Sequence, residues 1–373
     1  MKHQHLFTTV IAGLLGTGAL LLSCSKSDNS TSGPGDPPAT TSDTVLVNLG
    51  TNIILPSYQR LATSTATLDA AATAFTAGAS SATLSTVQAA FKDAYKAWAA
   101  CSEFEFGPAA DRFLSTHFTN SFPTDTAIIK SNVGGASYSI DGLANFAAQG
   151  FPALDYLLFA YGNDNTLARF TTNGNAAGAK QYLTAITASI KTKAAAVADA
   201  WSPSGGNYLD KFVKATGVDA GSSLSLLANS YVQDFDVNLQ NYKMGIPIGI
   251  YGPNTLPKSP TKVEGYYSGL SDALLLAQVQ AFQAIYQGGL DDKVAASKAQ
   301  YGAGSLNDAI NSQLSNLITK MQGLPEPLST GIQNNAATIS SAFTEIRKMT
   351  VLLKVDMSSA LGIKISFQDD DGD

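Results

Sequence analysis

The sequence predicts an all-α protein, and three observations carry that prediction. Apolar residues recur at steps of three and four over six separate stretches, the spacing of one helix face. Period-2 alternation, the mark of a half-buried strand, is confined to Ile363, Ile365 and Phe367 near the end. Of the 373 residues 45% are hydrophobic and only 14% charged, so burial can offset the entropy of ordering and the chain is not a disordered one.

Residues 1–23 read as a signal peptide. Lys2 precedes an apolar run, Leu6–Leu22, that threonine and glycine break and that is too short for a membrane span. Leu21-Leu22-Ser23-Cys24 is similar to a bacterial lipobox, in which the cysteine becomes the first residue and carries acyl chains. Several chains, at about 0.8 kcal/mol per buried CH₂, would hold the protein on a membrane. Residues 24–43 are rich in Ser, Thr, Pro, Gly and Asp and read as a flexible tether. With Cys24 lipidated, Cys101 is left without a disulfide partner, and Ala99, Ala100 and Phe104 around it describe a small buried hydrophobe.

The helices follow in order. An opening helix from about Asp43 to Phe75 should bend near Pro56. The next stripes are Leu84–Trp98, Leu183–Trp201, Leu224–Tyr242, Leu275–Tyr286, Leu306–Leu324 and Ile339–Met357. Such helices pack as bundles. At roughly 150 residues per domain two bundle domains are expected, and the Ser202-Pro203-Ser204-Gly205-Gly206-Asn207 turn divides them into 44–204 and 205–373. Irregular stretches interrupt the pattern at about Phe106–Gly150 and Met244–Tyr267, and loops of that length are often functional.

Composition excludes several functions. A net charge of −6 with only four arginines and no basic cluster leaves no surface for nucleic acid. The histidines are His3, His5 and His117, so removal of the signal peptide leaves one. No His-Glu-x-x-His, Cys-x-x-Cys, Gly-x-Ser-x-Gly or phosphate-loop motif is present. A His-based zinc centre and a Ser-His-Asp triad both lack ligands or bases. The acidic ending Asp369–Asp373 lacks the downstream glutamate of a calcium loop and reads as a solvated tail.

The segment Gly150-Phe151-Pro152-Ala153-Leu154-Asp155-Tyr156-Leu157-Leu158-Phe159 resembles the hallmark of the imelysin family. Trp98 with Glu103 and Gly107-Pro108, Phe122-Pro123-Thr124-Asp125, Tyr182-Leu183 with Trp201, and Val263-Glu264 with Tyr267-Ser268 extend the likeness, as does the Asp371-Gly372-Asp373 ending. The resemblance implies two helical-bundle domains facing each other across a cleft. It also implies a bacterial envelope protein linked to iron uptake, anchored by lipid on the outer membrane, periplasmic or surface side, in a family grouped with metallopeptidases.

This chain departs from the family's Gly-x-His-x-x-Glu motif, holding Gly150, Pro152 and Asp155 at its fixed positions. Pro152 cannot ligate a metal but suits the first turn of a helix. Asp155 is then either a helix carboxylate satisfied by backbone donors in the first turn or a cleft carboxylate retained from the motif. Among five glutamates, Glu103, Glu105 and Glu264 fall in the family-like segments; Glu103 ends an apolar helix without dipole support, and Glu264 stands where a helix cap would. Arg112 is a possible partner for them, and Lys243 ends a helix. Asp155, Glu103 and Glu264 are therefore the expected metal ligands, in an oxygen-rich site for iron or another hard cation. The function expected is cleft binding of a metal or iron-related small ligand for uptake, with an envelope partner. A metallopeptidase, and a structural or partner-binding lipoprotein with a degenerate site, are the alternatives.

Overall fold

Asp43 opens the fold rather than closing the tether: its carboxylate accepts the Val45 N–H at 2.9 Å and pairs with Lys293. The computed structural model describes residues 43–367, so the signal peptide, Cys24, the rest of the tether and the acidic ending lie outside the described residues. The opening helix runs through Thr44–Asn48, widens into a π-turn at Leu49–Ile54 and continues as α1, Leu55–Ala77. Pro56 sits in the first turn of α1, where its missing N–H is absorbed by the wider turn before it.

A capping box between Ser80 and Thr83 starts α2, Ser81–Ala99, and α2 presents the predicted Leu84, Val87, Phe91, Tyr95 and Trp98 to the core. The first irregular stretch holds short pieces only, among them α3, Thr126–Val133, whose first N–H groups are capped by Asp125. Then come α4, Gly150–Phe159; α5, Asn163–Arg169; and α6, Ala176–Trp201, which packs with α1, α3 and α4. The second half adds α7, Ser223–Gln233; a π-helical stretch, Asp234–Gly245; α8, Ser271–Ile285; α9, Leu306–Gln322; and α10, Ala336–Val351.

α8 packs on α9 and also on α2, which joins the two halves. The chain turns at Ser202–Asn207 as the sequence indicates, yet Trp201 packs across that turn onto Tyr208 and Phe212, at ring-centroid distances of 4.9 and 5.3 Å. The described residues 43–367 lie within one compact unit, and the buried apolar residues of both halves belong to one cluster. Strand structure among the described residues is limited to two short hairpins, Ile250–Tyr251 with Asn254–Thr255 and Gln300–Tyr301 with Gly304–Ser305. The alternation at Ile363–Phe367 forms no strand; Asn229 holds that segment instead, accepting from Ser366 N–H and donating to the Lys364 carbonyl. No described helix is long and apolar enough to cross a membrane.

Candidate functional site

The family-like segments around Phe122–Thr124, Gly150–Asp155 and Val263–Tyr267, far apart in sequence, meet in one region. It starts at Gly150, whose φ of +72° is left-handed and whose added Cβ would lie 2.1 Å from the Thr119 carbonyl oxygen. Only glycine allows α4 to begin that close to the Thr116–Thr119 turn. Pro152 follows inside the first turn of the helix, as its sequence position implies.

Asp155 lies in the second turn of α4 and not in the first, so the helix N-terminus is not what holds it. Its carboxylate instead accepts two backbone N–H groups from the other half of the chain, Tyr267 and Ser268, each at 2.9 Å. Burial pushes the Asp155 carboxyl up to about 6, against the opposing pull of the Ser268 and Tyr267 hydrogen bonds. Both oxygens have a donor, and the side chain is a clasp between α4 and the 263–268 segment.

Glu264 is equally enclosed. Its Oε2 lies 3.0 Å from Lys243 Nζ, with both side chains 2% exposed, in ion-pair contact though off the hydrogen-bonding angle. Oε1 accepts from Asn120 Nδ2 at 2.6 Å, and Asn120 Oδ1 accepts from the Tyr95 hydroxyl at 2.6 Å. Burial raises the Tyr95 hydroxyl far above its usual value, with Glu264 and Asp155 adding to the effect. Glu264 therefore caps no helix. Lys243 neutralises it, and Arg112 is exposed and in no ion pair among the described residues.

A second acidic group also feels the Lys243 charge. Glu103 is fully buried in the Ser102–Phe104 turn, and neither carboxylate oxygen has a hydrogen-bond partner of proper geometry. Burial first, and the Asp234 charge second, push its carboxyl well above the usual range. Asp234 accepts from Ser102 Oγ at 3.1 Å, Gln278 Nε2 at 2.6 Å and Asn238 Nδ2 at 2.6 Å. Half-buried Glu105 accepts from the Thr116 N–H and hydroxyl, and burial holds its carboxyl at about 8 despite them. Glu105, Asp234, Asn120, Asn238, Tyr242 and His117 line a pocket of about 410 Å³ beside these groups. His117 itself is exposed and stacked on Phe146 at 4.7 Å. Cys101 is a free, buried thiol, as its neighbours indicated.

The structure thus brings Asp155 and Glu264 into electrostatic contact and puts Glu103 and Glu264 both within reach of the Lys243 charge. It does not gather the three as one ligand set. Among the described residues no group of three or more His, Cys, Asp or Glu is placed to hold a metal ion. Asp234, Asn120 and the inward turn of Lys243 were not legible in the sequence. The helical period continued through Leu239 to Tyr242, but the π-helical stretch inserts an extra residue per turn. Tyr242 is consequently 40% exposed and Lys243 buried. Tyr161 is likewise 39% exposed, because α4 ends at Phe159.

The sequence profile of imelysin matches residues 54–353, most of the chain. The chain belongs to the imelysin family. An imelysin-like protein from Psychrobacter arcticum 273-4 has a similar structure, with a TM-score of 0.64 at 18% identity over 87% of this chain and 96% of that one. A candidate iron-regulated protein A precursor from Parabacteroides distasonis ATCC 8503 gives a TM-score of 0.67 at 16% identity, over 88% and 98%. No curated protein sequence is significantly similar. The family profile also carries a peptidase name, so the donor set of this imelysin must be tested against a catalytic zinc centre. It does not fit: Pro152 has no donor atom, both Asp155 oxygens hold backbone N–H groups, and Glu264 is bound to Lys243.

Proposed function

We propose that this imelysin is a lipid-anchored envelope protein that takes a cationic, iron-related ligand into the acidic pocket beside α4. One observation carries the reading. Glu103, Glu105 and Asp234 lie within electrostatic reach of one another and of Lys243, whose charge is already engaged by Glu264, and neither Glu103 oxygen has a hydrogen-bond partner of proper geometry. Buried carboxylates without compensating charge are costly, and a cation in the adjoining pocket would offset that cost. Oxygen ligands suit hard ions such as ferric iron. Fewer than three protein donors converge, so the ligand arrives with part of its own coordination shell, as a chelate does. The Leu21-Leu22-Ser23-Cys24 sequence supports the anchor, and the iron-regulated neighbour supports the link to iron.

Titrating the full chain with ferric citrate, followed by calorimetry and thermal unfolding, tests the reading. A ligand at one hundred times Kd stabilises by about 2.7 kcal/mol. Wild type should show this and the Glu105→Gln/Asp234→Asn double variant should not. Equal stabilisation of both proteins, or of neither, would refute it. The anchor is tested separately: the wild type should incorporate labelled palmitate and partition into detergent, and Cys24→Ser should do neither. Pro152 in place of the motif histidine favours a second reading, a partner-binding lipoprotein with a degenerate site. Its mark would be a co-purifying envelope protein without any iron-dependent stabilisation.

A further inference from the structure

A second pocket, about 530 Å³, lies between α3, α5 and the start of α6, away from the acidic one. Lys130, Tyr161, Asn165, Arg169, Asn173 and Asn175 line it, and no Asp or Glu does. Neither cation has an ion pair among the described residues. The Arg169 guanidinium is plated against two rings, 4.3 Å from the Tyr161 centroid and 5.1 Å from that of Tyr156. A hydrogen bond between the two tyrosine hydroxyls ties those rings together, so the fork is held in one orientation. Its Nη1 is shut off from solvent and has no hydrogen-bond partner.

A buried guanidinium N–H left unpaired is expensive, and a bound oxyanion is the partner that would satisfy it. The backbone adds to the same preference. α6 is 26 residues long, and its start has no side-chain cap and no acidic residue in the first turn. Its dipole therefore presents uncompensated positive potential beside Asn175. Asn173 and Asn175 line the pocket, and their side-chain amides have no hydrogen-bond partner among the described residues.

We propose that this pocket binds the phosphate group of a small phosphorylated molecule. Two unneutralised cations match a doubly charged phosphomonoester better than a carboxylate, and its three terminal oxygens can accept from Arg169, Lys130 and an amide together. The volume exceeds that of the anion alone, so an organic portion fits beside the Tyr161 ring. The site is separate from the acidic pocket, and either reading can fail without the other.

Calorimetric titration of the full chain with inorganic phosphate, glycerol 3-phosphate and acetate tests the proposal, with phosphatidic acid vesicles as a further arm. Glycerol 3-phosphate should bind at least about tenfold tighter than acetate. Arg169→Gln and Lys130→Gln should each weaken it by about tenfold or more. Gly174 borders the pocket with open space where a Cβ would go, and its φ is not left-handed. Gly174→Asp should therefore fold normally and, by placing a carboxylate against the cations, abolish binding. Arg169-dependent binding to the vesicles and not to the soluble phosphates would identify a lipid headgroup as the source of the same phosphate chemistry. No binding of any phosphate probe, or binding unchanged in Arg169→Gln and Gly174→Asp, would overturn the proposal.

Discussion

Replacing Glu264 by glutamine keeps the shape of the side chain and removes its charge from the centre of the buried network. Glutamine Oε1 can still accept from Asn120 Nδ2, so the Tyr95–Asn120 link survives. What is lost is the 3.0 Å pairing with Lys243, whose side chain is 2% exposed and whose ammonium is buried. Removing one partner of such a pair costs about 3–5 kcal/mol, because the remaining charge stays buried. Glu103 also interacts with the Lys243 charge, which favours the low end of that range. An unfolding entropy of about 2.1 cal/mol/K per residue over roughly 325 described residues gives ~0.7 kcal/mol per degree. Glu264→Gln should then lower Tm by about 4–7 °C, measured by circular dichroism at pH 7.5. Adding Lys243→Met to that variant removes the stranded ammonium and should recover about 2 kcal/mol or more. A single-variant cost under about 1 kcal/mol, or costs that simply add in the double variant, would show that the pair is not the buried unit inferred from its geometry.

Asp155→Asn should change how stability depends on pH. A carboxyl raised from 3.8 to about 6 on folding contributes stability that is fully present below 3.8 and is lost as pH rises through about 6. Relative to the asparagine variant, wild type should lose about 3 kcal/mol between pH 3.5 and 7 in urea titrations, and parallel pH profiles would contradict the burial argument. Gly150→Ala forces a side chain into left-handed backbone and against the Thr119 carbonyl, so it should cost at least about 1–3 kcal/mol. Wild-type stability in that variant would mean that α4 can start elsewhere.

The apolar spacing was enough to place the helices. Leu84 to Trp98 and Leu306 to Met321 lie on the inner faces of α2 and α9 as their period requires, because a regular helix maps sequence distance onto angle. The motif positions were legible too, since a left-handed glycine and a first-turn proline are local demands of the backbone. Their partners were not. Asp155 was readable as a carboxylate seeking donors, but nothing in its neighbourhood of sequence names Tyr267 and Ser268, more than a hundred residues away.

By itself, then, the sequence determined the all-α class, the core faces, the family resemblance and the loss of a histidine ligand at Pro152. Local periodicity and the chemistry of single residues settle those questions. Tertiary structure alone decided which carboxylates are spent and which are not. Glu264 and Glu103 look alike in sequence, yet one is paired with Lys243 and the other's carboxylate has no hydrogen-bond partner of proper geometry. That difference depends on the π-helical stretch Asp234–Gly245 turning Lys243 inward. It depends as well on where the turns after α2 and before α8 bring their backbones, which the cost of burying a charge constrains only once the chain is folded.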